Sequence, residues 1–224
     1  MKKLTFVALS VLALSGCKVD VSTEVNLDDV QSHEHKLAKG DINFEVSSCK
    51  DFEDSRIESK SLKELKETIP SIFRGAQFVE CYDKRMDSFA HFTVPVGVGR
   101  FGEQAKEQDA DIYIFSQGDI LAGVYMDKNL IQKIKKHEKD AIGSFDFSIS
   151  VKVNSDGKPE TLKVIGAFMK GKNFNNHPAI VQNLEWKGKD PITFSLSDVS
   201  IESLMRNGSV PFLVENNTFD SKKS

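Results

Sequence analysis

The 224-residue chain is poor in the residues that staple or punctuate a fold, with three cysteines, one tryptophan and six prolines. It has no excess of positive charge either: 30 Lys+Arg stand against 33 Asp+Glu. Nucleic-acid binding wants a basic excess gathered on one face, so that class drops out first. No Pro/Gly/Ser-rich linker divides the chain, and no low-complexity stretch appears. The strings G-x-S-x-G, H-E-x-x-H and the phosphate-binding P-loop are absent. The sequence therefore names no catalytic residue, and the expectation is a non-enzymatic protein without metal or cofactor.

What is present begins at the N-terminus. Met1, Lys2 and Lys3 precede an apolar stretch from Leu4 to Leu14, followed by Ser15, Gly16 and Cys17. A basic start, a short apolar run and small residues before a cleavage point describe an export signal. As a helix the run would rise only about 16 Å, roughly half a hydrocarbon core, so it is too short to span a membrane. Leu14-Ser15-Gly16-Cys17 resembles the lipobox of bacterial lipoproteins. That resemblance implies a signal peptide of residues 1–16, with Cys17 as the acylated first residue of the mature chain. Two or more hydrophobic signals are what stable membrane anchoring requires. The resemblance extends to localisation: Lys18, where inner-membrane lipoproteins of enterobacteria carry Asp, implies an outer-membrane lipoprotein. Without residues 1–16 the chain keeps 28 basic against 33 acidic residues, a net charge of −5.

With Cys17 acylated, Cys49 and Cys81 remain, with 31 residues between them. An exported domain meets an oxidising compartment, so these two are expected to form one disulfide. They lack the close Cys-x-x-Cys spacing of redox or zinc sites.

Residues 17–219 read as a single α+β envelope domain and 220–224 as a disordered tail. The expected fold is a largely antiparallel β-sheet with a few inserted helices. Val19, Val21, Thr23, Val25 and Leu27 alternate with polar residues, a period-two strand pattern that starts two residues after Cys17 and leaves almost no tether. Further strands are expected at Ile42–Val46, Ala76–Tyr82, Phe89–Val98, Asp111–Phe115, Ile120–Met126, Phe145–Val153, Thr161–Phe168, Ile192–Leu196 and Val210–Val214. Pro95 places its strand at an edge or a bulge. Asp156-Gly157 signals a hairpin between the strands that flank it, and Gly118-Asp119 separates another pair. Helices are expected after a Ser61/Glu64 capping box, after Asp127, from Pro178, and after Asp198 with a stop at Gly208.

Several patterns weaken when weighed against plainer readings. Gly97-Val98-Gly99-Arg100-Phe101-Gly102 matches a dinucleotide-loop string, but Glu103 to Asp109 lacks the apolar stripe of the helix that must follow. His33-Glu34-His35 reads as a solvated turn rather than a metal site. The Lys-rich helix Lys128–Lys139 reads as a solvated face, although such a face suits anionic headgroups near a short tether. Phe44, Phe78, Phe92, Phe115, Phe145, Phe147 and Phe168 read as core, the alternative being an apolar groove for a lipid or a partner.

The first strand and the segment Phe44-Glu45-Val46-Ser47-Ser48-Cys49 also resemble uncharacterised lipoproteins of enterobacteria and their phages, a resemblance that implies no activity. The expected function is thus contact with another envelope protein, as an accessory or blocking subunit, with a lipid-binding module as the alternative. Cys17→Ser should give an unacylated soluble product or an uncleaved precursor, read by detergent partition and intact mass. Unchanged membrane association would refute the anchor.

Overall fold

The computed structural model describes residues 17–101, 110–140, 145–158 and 160–216. Along them run β1 (Cys17–Asn26), α1 (Leu27–Gln31), β2 (Lys36–Val46), α2 (Lys60–Ile72), β3 (Gln77–Lys84), β4 (Asp87–Arg100), β5 (Ile112–Gln117) and β6 (Ile120–Met126). They continue as α3 (Lys128–Asp140), β7 (Phe145–Asn154), β8 (Glu160–Gly171), β9 (Phe174–Trp186), β10 (Ile192–Leu196), α4 (Asp198–Asn207) and β11 (Ser209–Glu215). Strands dominate and helices are inserted among them, as the periodicity implies. The sheet is not an open one, however. Neighbours run β10-β7-β1-β2-β4-β5-β6-β11-β8, and β10 also pairs β8, so nine strands close into a barrel. Closure leaves only β3 and β9 as added strands, on β4 and β8.

Seven of the nine ring pairings are antiparallel; β1–β7 and β4–β5 are parallel. The period-two pattern is what fills the core. Val19, Val21 and Val25 of β1 are buried with Ile149, Val151 and Val153 of β7, while Lys18, Asp20 and Glu24 between them are exposed. Phe44 holds the centre of an aromatic set, meeting Phe73, Phe92 and Phe145 edge-on at 5.8–6.4 Å between ring centroids.

Pro95 has a specific place in this scheme. On one edge of β4 the partner is β3 up to Thr93 and β5 from Val96 onward, so Pro95 falls in the gap between them. A residue without an N–H is tolerated where one edge of the strand has no neighbour.

Asp156-Gly157 makes a turn, with Gly157 at φ 93° and the Asp156 carboxylate accepting from Lys158 N at 2.8 Å. It does not make a hairpin. β7 and β8 are not paired with each other, because β10 lies between them. The turn residues specify a chain reversal and carry no information about which strand later fills the space. Gly118-Asp119 does close a hairpin, with Gln117 opposite Ile120.

Two helix readings also change. α2 is capped by Ser59, whose side chain accepts from Leu62 N at 3.2 Å, two residues before the expected box at Ser61. Pro178 starts no helix; it is an exposed residue of β9. Ile180 and Val181 are β-branched and favour a strand, and Pro is acceptable at a sheet edge. The α3 and α4 stripes stand, with Leu130, Ile131, Ile134 and Leu204 buried and Gly208 capping α4 at φ 84°.

Along the eight-strand path from β10 to β11, the beginning of β1 lies on the same margin as the connections carrying α2, α3 and α4. α3 sits between the other two helices: Lys133 Nζ donates to Ile72 O and Lys135 Nζ to Met205 O at 2.9 Å. α1 lies at the opposite margin, with Leu27 and Val30 buried and Ser116 Oγ donating to Val30 O at 2.8 Å.

Cys49 and Cys81 are bonded, 32 positions apart with Cα atoms 5.6 Å from each other. The bridge ties the segment after β2 to β3 and so encloses α2. Replacing both cysteines with alanine should lower unfolding free energy by about 3–4 kcal/mol, the loop-entropy value for this separation. Urea denaturation measures it; an unchanged midpoint would show that α2 and its loops are held by packing alone.

Candidate functional site

A groove of about 570 Å³ runs along the outside of β8 and β9, walled on its other side by α4. Its lining includes Ile165, Phe168, Ala179, Ile180, Val181 and Val199. Most exposed large apolar side chains occur singly and need no explanation. Here three of them, Ile180 (86% exposed), Val199 (77%) and Val181 (54%), border one concave surface. Neither Asp, Glu, Lys nor Arg lines it. The groove can therefore bind apolar surface, but it offers no acid, base or nucleophile beyond serine hydroxyls.

Those hydroxyls are already employed. β8 pairs β11 through Leu162–Val164 and β10 through Ala167–Lys170, which leaves Gly166 without a strand partner on that edge. Its carbonyl accepts instead from Ser197 N at 2.9 Å and Ser200 Oγ at 2.7 Å. Ser197 is also the N-cap of α4, accepting from Ser200 N at 3.3 Å. Gly166 has φ 55°, and a Cβ there would lie 2.3 Å from Ser200 Oγ. The groove exists because α4 is seated at this point, propped against β8 by a polar contact rather than laid flat over it.

The outer edge of β9 bounds the groove. Among the described residues β9 pairs only β8, and between Phe174 and Leu184 it carries no Lys, Arg, Asp or Glu. Charged residues and proline are the usual guards on an exposed edge strand; β9 has Pro178, but from Ala179 to Leu184 it has neither, and among the described residues that stretch leaves backbone donors and acceptors open to strand addition.

The residues singled out from sequence are placed as follows. Cys17 opens β1 opposite Phe145. Cys49 and Cys81 form the structural bridge. His33 and Glu34 are exposed and His35 is half-buried, and among the described residues no three His, Cys, Asp or Glu side chains gather as metal ligands. Gly97 lies within β4 against the Tyr113 ring, where any Cβ would come within 2.1 Å, so close packing accounts for that glycine. Gly102 and the segment after it lie outside the described residues, as do residues 1–16 and 220–224. Phe44, Phe92, Phe115 and Phe147 are core; Phe168 is half-buried and lines the groove.

A second concentration of side chains joins Phe101, Tyr113, Phe115 and Tyr125, with Phe101 stacked on Phe115 at 4.4 Å. Burial raises both phenols above their ordinary pKa, so they stay neutral and supply no base at neutral pH.

The family comparison adds one fact. The chain belongs to the family described as Domain of unknown function (DUF7424). The family model matches residues 19–221, so the DUF7424 region takes in nearly all of β1 and every element after it, including β8, β9 and α4. No curated protein and no solved structure matches the chain. Among the described residues of this DUF7424 chain, no helix is long and apolar enough to cross a membrane.

Sequence reading missed Ile180, Val181 and Val199. Two adjacent β-branched residues between the polar runs Asn175–His177 and Gln182–Asn183 could have signalled a strand that shows apolar groups on both faces. The seat itself is testable. Gly166→Ala should cost about 2–4 kcal/mol, from a strained φ plus the displaced Ser200 hydrogen bond. Gly188→Ala, at φ 93° but in open space, should cost only about 1–2 kcal/mol. Equal thermal shifts for the two variants would show that α4 does not depend on the Gly166 contact.

Proposed function

We propose that this protein is a non-catalytic lipoprotein of the bacterial cell envelope that acts by protein–protein contact, as an accessory or blocking subunit at the outer membrane. Cys17, acylated, is its anchor. The observation that carries the contact reading is the uncharged groove between β8/β9 and α4, bordered by the uncharged edge of β9. An extended segment of a partner can add its backbone to that edge while its apolar side chains enter the groove, which supplies affinity and specificity together. The barrel core, by contrast, is one continuous apolar cluster of packed side chains.

The same groove supports a second reading, a module that holds an acyl chain, since its lining is apolar and uncharged. The two readings separate experimentally. A photo-crosslinking residue at Val181 should capture one discrete envelope protein in intact cells, and the same residue at Lys189 should not. Ile180→Asp combined with Val199→Asp should reduce the Val181 adduct at least about tenfold, as expected when charge enters an apolar contact. An adduct pattern identical at Val181 and Lys189 would refute the contact reading. Lipid retained by the soluble Cys17→Ser form in native mass spectrometry would favour the second.

A further inference from the structure

We infer that the outward face of α3 lies on the phospholipid headgroups beside Cys17, so that the helix-bearing margin of the barrel faces the bilayer. The orientation rests on the reading of Cys17 as the anchor; the face itself is read from the structure.

Cys17 is the first residue of β1 and pairs directly with Phe145, the first residue of β7. An anchor at that position has no tether. Whatever surrounds the start of β1 is brought against the membrane surface. What surrounds it is α3: His137 stacks on Phe145 with ring centroids 5.8 Å apart, and Glu138 Oε1 accepts from Phe145 N at 3.2 Å.

The charges of α3 are sorted by direction. Leu130, Ile131 and Ile134 bury one face. Lys128, Gln132 and Lys136, each four residues from the next, are exposed on the opposite face. Lys133 and Lys135 flank it, donating to the Ile72 carbonyl at the end of α2 and the Met205 carbonyl of α4. Two neighbouring carboxylates are engaged elsewhere: Asp127 accepts from Asn129 N at 2.7 Å at the helix start, and Glu138 accepts from Phe145 N. A protein with more acidic than basic residues thus presents a basic stripe where the anchor begins. The β3–β4 turn adds Lys84, Arg85 and the 99% exposed Met86 on the same margin.

The chemistry that fits is the anionic phosphodiester of a phospholipid. A lysine near an anionic bilayer surface contributes on the order of 1 kcal/mol, a factor of about five per residue. That is too little for binding without the acyl chains, and enough to fix orientation once they are in place.

Lysine footprinting tests this on the acylated full chain. The protein is placed in nanodiscs of phosphatidylethanolamine and phosphatidylglycerol and briefly acetylated; the soluble Cys17→Ser form is the reference. Acetylation of Lys128 and Lys136 should slow about fivefold or more in the disc. Lys187 and Lys189, after β9 and toward the other end of β7, should react equally in both. Equal rates at Lys128 and Lys136, or protection at Lys187 and Lys189 instead, overturns the orientation. The same digest reports the Cys17 peptide. An unacylated Cys17 overturns the anchor and the orientation together, whereas acylated Cys17 with unprotected lysines overturns the orientation alone.

Discussion

One edge of β8 is shared by two strands, and most of the architecture follows from that constraint. β10 and β11 both run antiparallel to β8 on the same side of it, so they must meet end to end, with Gly166 at the junction. The chain between them cannot stay in the sheet and leaves it as α4. The junction would expose a bare carbonyl at a buried seam, which costs about 1–3 kcal/mol if unsatisfied. Ser197 and Ser200 satisfy it, and that fixes where α4 begins. Ring closure, the seat of α4 and the groove are therefore one problem solved once. A change at Gly166 is felt in all three, whereas a change in the Phe44 cluster on the other side of the ring is felt as ordinary loss of packing.

The strands were legible because each buries a single face, and a half-buried strand shows its period in its own residues. Phe147, Ile149, Val151 and Val153 announce β7 without help from any other part of the chain. Which strands become neighbours is not local information. The pairing of β1 with β7 joins residues more than 120 positions apart, and it runs parallel, a geometry no turn dictates. Asp156-Gly157 failed as a hairpin signal for the same reason: the five residues of β10, almost 40 positions later, insert between the strands it joins. The disulfide was legible because compartment and count left Cys49 one partner. The groove was not, because Val199 looks like any apolar residue in the first turn of a helix until α4 is seen to lean on Gly166.

Exposure carries different weight at different places on this surface. Leu37 is 57% exposed at the start of β2, where it borders a groove that the charged side chains of Lys39 and Arg74 also line. Ile180 is exposed because β9 extends beyond the ring, paired with β8 along one edge and with no partner along the other among the described residues. Extra strands on closed barrels recreate the edge that closure removed. β3 and β9 both do this, but they are managed differently. β3 carries Glu80, Asp83 and Lys84 and is pinned by Cys81, while most of β9 is neutral and held only by β8. The two added strands thus differ in charge and in covalent support, and among the described residues only β3 has both.

The two faces assigned here constrain each other through α4. One side of α4 supplies Val199 and Ser203 to the groove; its Met205 carbonyl accepts from Lys135 of α3, the helix placed on the headgroups. α4 has ten residues, a length of about 15 Å, and carries both contacts, with Val199 in its first turn and Met205 in its last. If α3 faces the headgroups as proposed, a partner segment seated against Val181 and Val199 would approach from the membrane side of the barrel. A large globular protein would meet the bilayer before its surface reached the groove. A narrow extended segment would not: a strand added to β9 needs only about 5 Å of lateral space. On the proposed reading of Cys17 as an anchor without a tether, partners would be selected by reach as well as by chemistry, and the edge of β9 is the shape that a narrow extended segment fits.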